Sequence, residues 1–137
     1  NNDPGSAEII TVIDALPTTH FKVIPSMGFG RFSELLKNAA CIVGNSSAGV
    51  REAPFLGVSS LDVGSRQADR AFGVSITKVE AGDTDEINQF LQQNWRSRHP
   101  RQTAFGTGNA TQKFIDILKS DAFWRRSMQK YFNDFAP

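Results

Sequence analysis

The stretch Ile42-Val43-Gly44-Asn45-Ser46-Ser47-Ala48-Gly49-Val50-Arg51-Glu52-Ala53-Pro54 decides the fold. Cys41 to Gly44 is short and wholly apolar, the pattern of a strand buried on both faces. Asn45 to Gly49 is a run of five small residues. A short helix over roughly 49–55 is expected after it, kinked or broken at Pro54, whose ring and missing N–H oppose helix interiors. Strand, small-residue turn and helix together form the repeating unit of a parallel α/β sheet.

The same alternation extends outward. Ser6 caps a helix with Ile9, Ile10, Ile13 and Leu16 at helical spacing, stopping before Pro17. His20 to Ile24 reads as a strand ending at Pro25, and Gly28 and Gly30 mark a loop. The spacing predicts a helix over 31–40 with Phe32, Leu35, Leu36 and Ala39 on one face. Further strands are expected over 59–63 and 73–79, separated by a polar loop over 65–70. Asp83 and Glu86 form a capping-box-like pair before a helix with Ile87, Phe90 and Leu91 inward. A long loop follows, 95–108, carrying Arg96, Arg98, His99 and Arg101. Asn109 or Thr111 opens a helix with Phe114, Ile115 and Leu118 apolar. A last helix is expected from about Asp121 to Phe135, with Trp124, Met128, Tyr131, Phe132 and Phe135 on one face. The expected fold is α/β, a Rossmann-like doubly wound parallel sheet.

A chain of 137 residues with 39% apolar and 21% charged side chains is one globular domain, 1–137, not a disordered segment. The net charge of +1 supplies no broad field for nucleic acid or an anionic membrane. No run of about 18 apolar residues could span a bilayer. The beginning, Asn1-Asn2-Asp3-Pro4-Gly5, has neither the basic nor the apolar region of a signal peptide. It begins without Met, which reads as a segment of a longer gene product. One cysteine, Cys41, excludes a disulfide framework and a zinc cluster, and a reducing cytoplasm is the expected compartment. Seven of the fourteen aromatic residues fall within the last 33 positions, so the tail needs a surface to pack on.

The turn at Asn45–Gly49 is the candidate anion site. Small side chains let a phosphate approach backbone N–H groups, and two Ser hydroxyls add donors. The competing reading is that the Ser and Asn residues of the turn simply cap the helix. Neither a Walker loop nor a GxGxxG fingerprint is present. Glu52, one turn on, could accept hydrogen bonds from a ribose cis-diol or could merely complement the helix dipole.

Gly44-Asn45-Ser46-Ser47-Ala48-Gly49-Val50-Arg51-Glu52-Ala53-Pro54, Gly57, Leu61-Asp62-Val63-Gly64-Ser65-Arg66-Gln67 and Arg70 together resemble the UDP-N-acetylglucosamine 2-epimerase family. The helix from Phe32 to Ala40 and the stretch Gly106-Thr107-Gly108-Asn109-Ala110 also match. The match is closer to the hydrolysing branch, which forms N-acetylmannosamine. The non-hydrolysing branch typically reads DSGGxxEEAP at the turn and TERPE later, where this chain has Asn45-Ser46-Ser47-Ala48 and Arg66-Gln67-Ala68-Asp69-Arg70.

The resemblance implies a two-domain GT-B arrangement, of which 1–137 is the C-terminal, nucleotide-binding domain. The N-terminal domain is absent, and 121–137 is a tail helix that crosses back toward it. It implies UDP or UDP-N-acetylglucosamine as ligand, with Phe32 on the uracil, Asn45, Ser46 and Ser47 at the diphosphate and Glu52 at the ribose. Arg66, Gln67 and Arg70 would lie in a loop facing the cleft. The implied reaction eliminates UDP and hydrates the resulting glycal. Its acid and base lie outside this chain, so no catalytic residue, metal or cofactor is expected here. The apolar tail face suggests a homo-oligomer in isolation. Two further readings are a non-hydrolysing epimerase and a standalone nucleotide-sugar-binding module. His20 is expected to be structural, His99 to sit in a solvated loop, and Cys41 to behave as a small apolar residue.

Overall fold

Three short runs rich in β-branched and apolar side chains become the strands β1 (Ile42–Gly44), β2 (Ser60–Val63) and β3 (Ile76–Val79) in the computed structural model, which describes residues 5–129. Around them lie the helices α1 (Ser6–Asp14), α2 (Phe29–Asn38), α3 (Ser47–Val50), α4 (Glu52–Leu56), α5 (Thr84–Asn94), α6 (Ala110–Lys119) and α7 (Asp121–Trp124). The sheet is parallel throughout, in the order β1-β2-β3. Ser60 stands beside Ile42 and Ile76, and Asp62 beside Gly44 and Lys78.

Strand alternation explains the two cores. Leu61 and Val63 point to one face, where Leu61 and Val79 pack against Phe90, Ile87 and Leu91 of α5. Asp83 holds the start of α5, its Oδ1 accepting from the Glu86 N–H at 3.0 Å. Ser60 and Asp62 point to the opposite face, the side of α3. There, a second cluster joins Leu36 of α2, Ala53 of α4 and Val58, with Phe32, Ile42 and Leu56 against it. A parallel sheet covered on both faces is a Rossmann-like α/β arrangement.

Several expectations are corrected. The segment 20–24 is not in the sheet: His20 closes a turn and 21–24 run without a ladder. A strand exists only by pairing, and β1 is an edge with no neighbour on that side among the described residues. For the same reason β1 is not buried on both faces, and Val43 is 48% exposed. The helix after the turn breaks at Arg51 rather than at Pro54. Pro54 cannot donate to the Val50 carbonyl and its ring would collide there, so α3 ends at Val50 and α4 restarts with Pro54 in its first turn. The apolar side chains of α6 are exposed, Phe114 at 61%. The helix opening at Asp121 ends at Trp124, and Met128 lies beyond it. Tyr131, Phe132 and Phe135 lie outside the described residues.

The long loop is a brace rather than a solvated excursion. Arg98 forms an antiparallel bridge to Val58. The His99 N–H donates to the Gly57 carbonyl at 3.0 Å, and His99 Nε2 lies 2.9 Å from Oγ of fully buried Ser59. Further on, the Gln102 N–H donates to the Pro54 carbonyl at 3.0 Å. Gln102 Nε2 also donates to Ser75 Oγ at 3.0 Å.

Candidate functional site

The carboxyl ends of parallel strands are where an α/β sheet presents ligand groups. At the end of β1, Gly44 adopts φ 146°, which lets the chain leave the strand and enter the turn. Ser46 is the N-cap of α3, and its Oγ accepts from the Ala48 N–H at 3.3 Å. The capping role is thus real, and it leaves the hydroxyl proton of Ser46 to be donated elsewhere. Ser47 is exposed.

After β2, the loop 64–75 returns to this turn. A polar cavity of about 460 Å³ is lined by Asn45, Ser46, Ser47, Arg66, Gln67 and Arg70. Six residues from two distant stretches of sequence therefore meet in one place. Gln67 is only 2% exposed: its Nε2 donates to the Asn45 carbonyl at 2.8 Å, and its Oε1 accepts from Arg70 at 3.3 Å. Two guanidinium groups and two hydroxyls around one cavity make a set of donors suited to an anion with several oxygens.

One turn further, Glu52 lies on the wall of a second, mainly apolar cavity of about 350 Å³. Phe29, Ser33, Arg51, Phe55, Leu56 and Phe105 share that wall with it, and Gly106 and Gly108 close it. Glu52 Oε2 is buried with no hydrogen-bond partner. A buried acceptor left unmade costs about 1–3 kcal/mol, so a ligand hydroxyl donating there recovers that amount. The Arg51 guanidinium lies 5.1 Å from the Phe105 ring centre, and Arg101 lies 3.7 Å from that of Phe55.

Phe32 does not line either cavity. It is half-buried on the cluster of Leu36, Ala53 and Val58, beside Leu56, and so backs the apolar wall from within. Phe29, one turn earlier on α2, Phe55 and Phe105 are the aromatic rings at the cavity. Reading by helical face missed Phe29 because it precedes the expected start of α2. The signal available for Phe105 was its place before Gly106 and Gly108, whose φ values of 109° and 88° turn the chain at the cavity mouth.

Two other titratable groups complete the surroundings. Asp62 is 1% exposed, and neither carboxylate oxygen has a partner. Burial pushes its carboxyl above the usual carboxylate range, and the Lys78 ammonium opposes that rise. The folded state therefore favours the protonated form, and stability present at acid pH is lost as the pH rises through the ordinary carboxylate value and beyond. Asp62→Asn is expected to remove that pH dependence and to stabilise the protein by about 1 kcal/mol at neutral pH. Urea unfolding at acid and neutral pH checks this, and an equal effect at both would refute it. Cys41 is half-buried, and burial pushes its thiol up, away from reactivity. Among the described residues no group of three His, Cys, Asp or Glu side chains could hold a metal ion, and no helix is long and apolar enough to cross a membrane.

Residues 1–119 match the family model described as UDP-N-acetylglucosamine 2-epimerase. A UDP-N-acetylglucosamine 2-epimerase of Neisseria meningitidis serogroup B is 37% identical over 138 residues, covering 98% of this chain and 36% of that protein. A GDP/UDP-N,N'-diacetylbacillosamine 2-epimerase (hydrolyzing) of Campylobacter jejuni is 31% identical over 71 residues, 52% of this chain and 18% of that protein. The chain thus spans little more than a third of the length of the Neisseria relative.

Proposed function

Since the chain belongs to the UDP-N-acetylglucosamine 2-epimerase family, we propose that it is the UDP-binding half of such an enzyme. One observation carries this reading: a hydroxyl- and guanidinium-lined cavity at Ser46, Ser47, Arg66 and Arg70 is followed, one turn on, by an apolar cavity containing Glu52 and its unpartnered carboxylate oxygen. Diphosphate, ribose and base need those three environments in that order. The diphosphate takes the polar cavity, with the Asn45–Ser47 turn beneath it. The ribose hydroxyls donate to Glu52. The uracil takes the apolar cavity between Phe29 and Phe105, with Phe32 backing the wall.

The reaction proposed for the whole protein is hydrolysing. The C2 proton of UDP-N-acetylglucosamine is removed and the C1–O bond breaks, releasing UDP and a glycal. Water then adds, hydroxyl to C1 and hydrogen to C2 on the opposite face, giving N-acetylmannosamine. This chain's part is to neutralise charge on the departing UDP, for which Arg66, Arg70 and the two hydroxyls are suited. No acid or base is assigned to its residues. The Asn45-Ser46-Ser47 and Arg66-Gln67 motifs favour this branch, as does the hydrolysing activity in the name of the Campylobacter relative. The Neisseria relative's name gives epimerase alone, which keeps the non-hydrolysing reading in view.

The GT-B two-domain arrangement belongs to this proposal, with 1–137 as its C-terminal domain in a cytoplasmic enzyme. The exposed apolar side chains of α1 and α6, including Ile9, Val12, Phe114 and Ile117, are in keeping with contact to the rest of the polypeptide or to a second copy. Product analysis of the full-length protein with UDP-N-acetylglucosamine tests the reaction. Free N-acetylmannosamine and UDP are expected in equal amounts. A UDP-linked product would select the non-hydrolysing reaction, and no turnover of the nucleotide sugar would defeat both.

A further inference from the structure

We propose that Gln67 is a positioning residue of the diphosphate site, a clamp that holds the Asn45–Ser47 turn against the loop 64–75 and orients Arg70. This rests on the UDP-binding reading above and deepens it. The side chain is 2% exposed, so it cannot serve as a solvent-facing ligand arm as its place in a cleft loop suggests. Both ends of its amide are engaged. The Nε2 donates across 22 residues of sequence to the Asn45 carbonyl at 2.8 Å. The Oε1 accepts from one guanidinium nitrogen of Arg70 at 3.3 Å, leaving the other nitrogens of that fork to the cavity.

The need for such a clamp follows from the sheet. The turn hangs from β1, an edge strand with a ladder on one side only among the described residues. The loop 64–75 joins two parallel strands without a helix of its own. Each piece alone is weakly fixed, and a site loose by an ångström loses much of its charge-assisted bonding. Gln67 ties the two together at the one carbonyl adjoining Ser46. Its own loop is set by the Ala68 N–H donating to the Ser65 carbonyl and the Arg70 N–H donating to the Gln67 carbonyl, at 3.0 and 3.2 Å.

The test uses the full-length protein and two probes, UDP and uridine, by calorimetry on wild type, Gln67→Met, Ser47→Ala and the double variant. Gln67→Met is expected to weaken UDP about tenfold and to leave uridine within about twofold, because only the diphosphate depends on the turn. In the Ser47→Ala background the same change is expected to cost less than about threefold, the signature of acting through the turn. Equal losses for UDP and uridine, or full additivity, would overturn the clamp. Gln67→Asn, one methylene too short to span both partners, carries the same expectation if the Met variant does not fold. Ser47→Ala separates the two readings. Unchanged UDP affinity in that variant removes the diphosphate site itself. A weakened Ser47→Ala beside a wild-type-like Gln67→Met removes only the clamp.

Discussion

Gly57→Ala is expected to lower the unfolding midpoint of this domain by roughly 10 °C, corresponding to about 3–4 kcal/mol. Gly57 ends α4 with φ 70°, a left-handed conformation that an L side chain adopts at a cost of about 1–2 kcal/mol. The rest of the loss is steric. A Cβ at this position would run into the carbonyl oxygen of His99, which is backbone and cannot rotate away. Moving that segment breaks the His99–Gly57 bond, the Arg98–Val58 bridge and the Ser59–His99 contact together. Gly82→Ala is the matched control, because its added Cβ meets nothing within 4 Å and its φ is ordinary. Calorimetric melting of both variants decides the matter. A Gly57→Ala loss no larger than the control's would mean that the brace yields and the strain account is wrong.

Glu52→Ala is expected to weaken UDP by about 10- to 100-fold, the worth of hydrogen bonds to a charged acceptor. Without nucleotide the same variant should be as stable as wild type or slightly more so, since a buried oxygen with no partner has been removed. The opposite signs are what distinguish a ligand group from a structural one. Melting with UDP at ten times its dissociation constant reads both at once. Wild type gains about 1.4 kcal/mol, and the variant gains about 0.1–0.4 kcal/mol at the same concentration. A variant that loses stability without ligand, yet keeps the full gain with it, would assign Glu52 to α4 and take the ribose elsewhere.

Local signals were legible where a single stretch suffices to make the structure. The Asp83 cap and the inward face of α5 depend on neighbours in sequence and form as read, and the three apolar runs each contain a strand, although β3 begins at Ile76 rather than at 73. The passage from strand to helix at Asn45 and Ser46 was legible for the same reason, although α3 begins at Ser47, earlier than the helix expected over roughly 49–55. What escaped depends on partners far along the chain. The segment 20–24 has strand composition but no strand beside it among the described residues. The 95–108 stretch has loop composition, and becomes a brace only because Val58 and Gly57 lie alongside. The site divided in the same way. Asn45, Ser46, Ser47, Arg66 and Arg70 come together around one cavity. The buried role of Gln67 turns on a bond to a carbonyl 22 residues away, which no spacing rule encodes. The aromatic wall of the second cavity lies on Phe29, Phe55 and Phe105 rather than on Phe32, and Phe29 escaped because α2 begins earlier than its capping signals suggest.

The single ladder of β1 has a kinetic consequence. Freeing β2 means breaking bonds to two neighbours, whereas freeing β1 breaks bonds to one. The strands therefore belong to different tiers of local opening, with the central β2 in the slow tier and the two edge strands, β1 and β3, in the faster one. In amide exchange, Leu61 and Asp62 would be among the last to take up deuterium, and residues 43–47 among the first of the sheet and its turns. A nucleotide that bridges the turn and the loop 64–75 would slow exchange at both ends of that span while leaving the centre of the sheet unchanged. The pattern of protection, read residue by residue, would then trace where the phosphates sit.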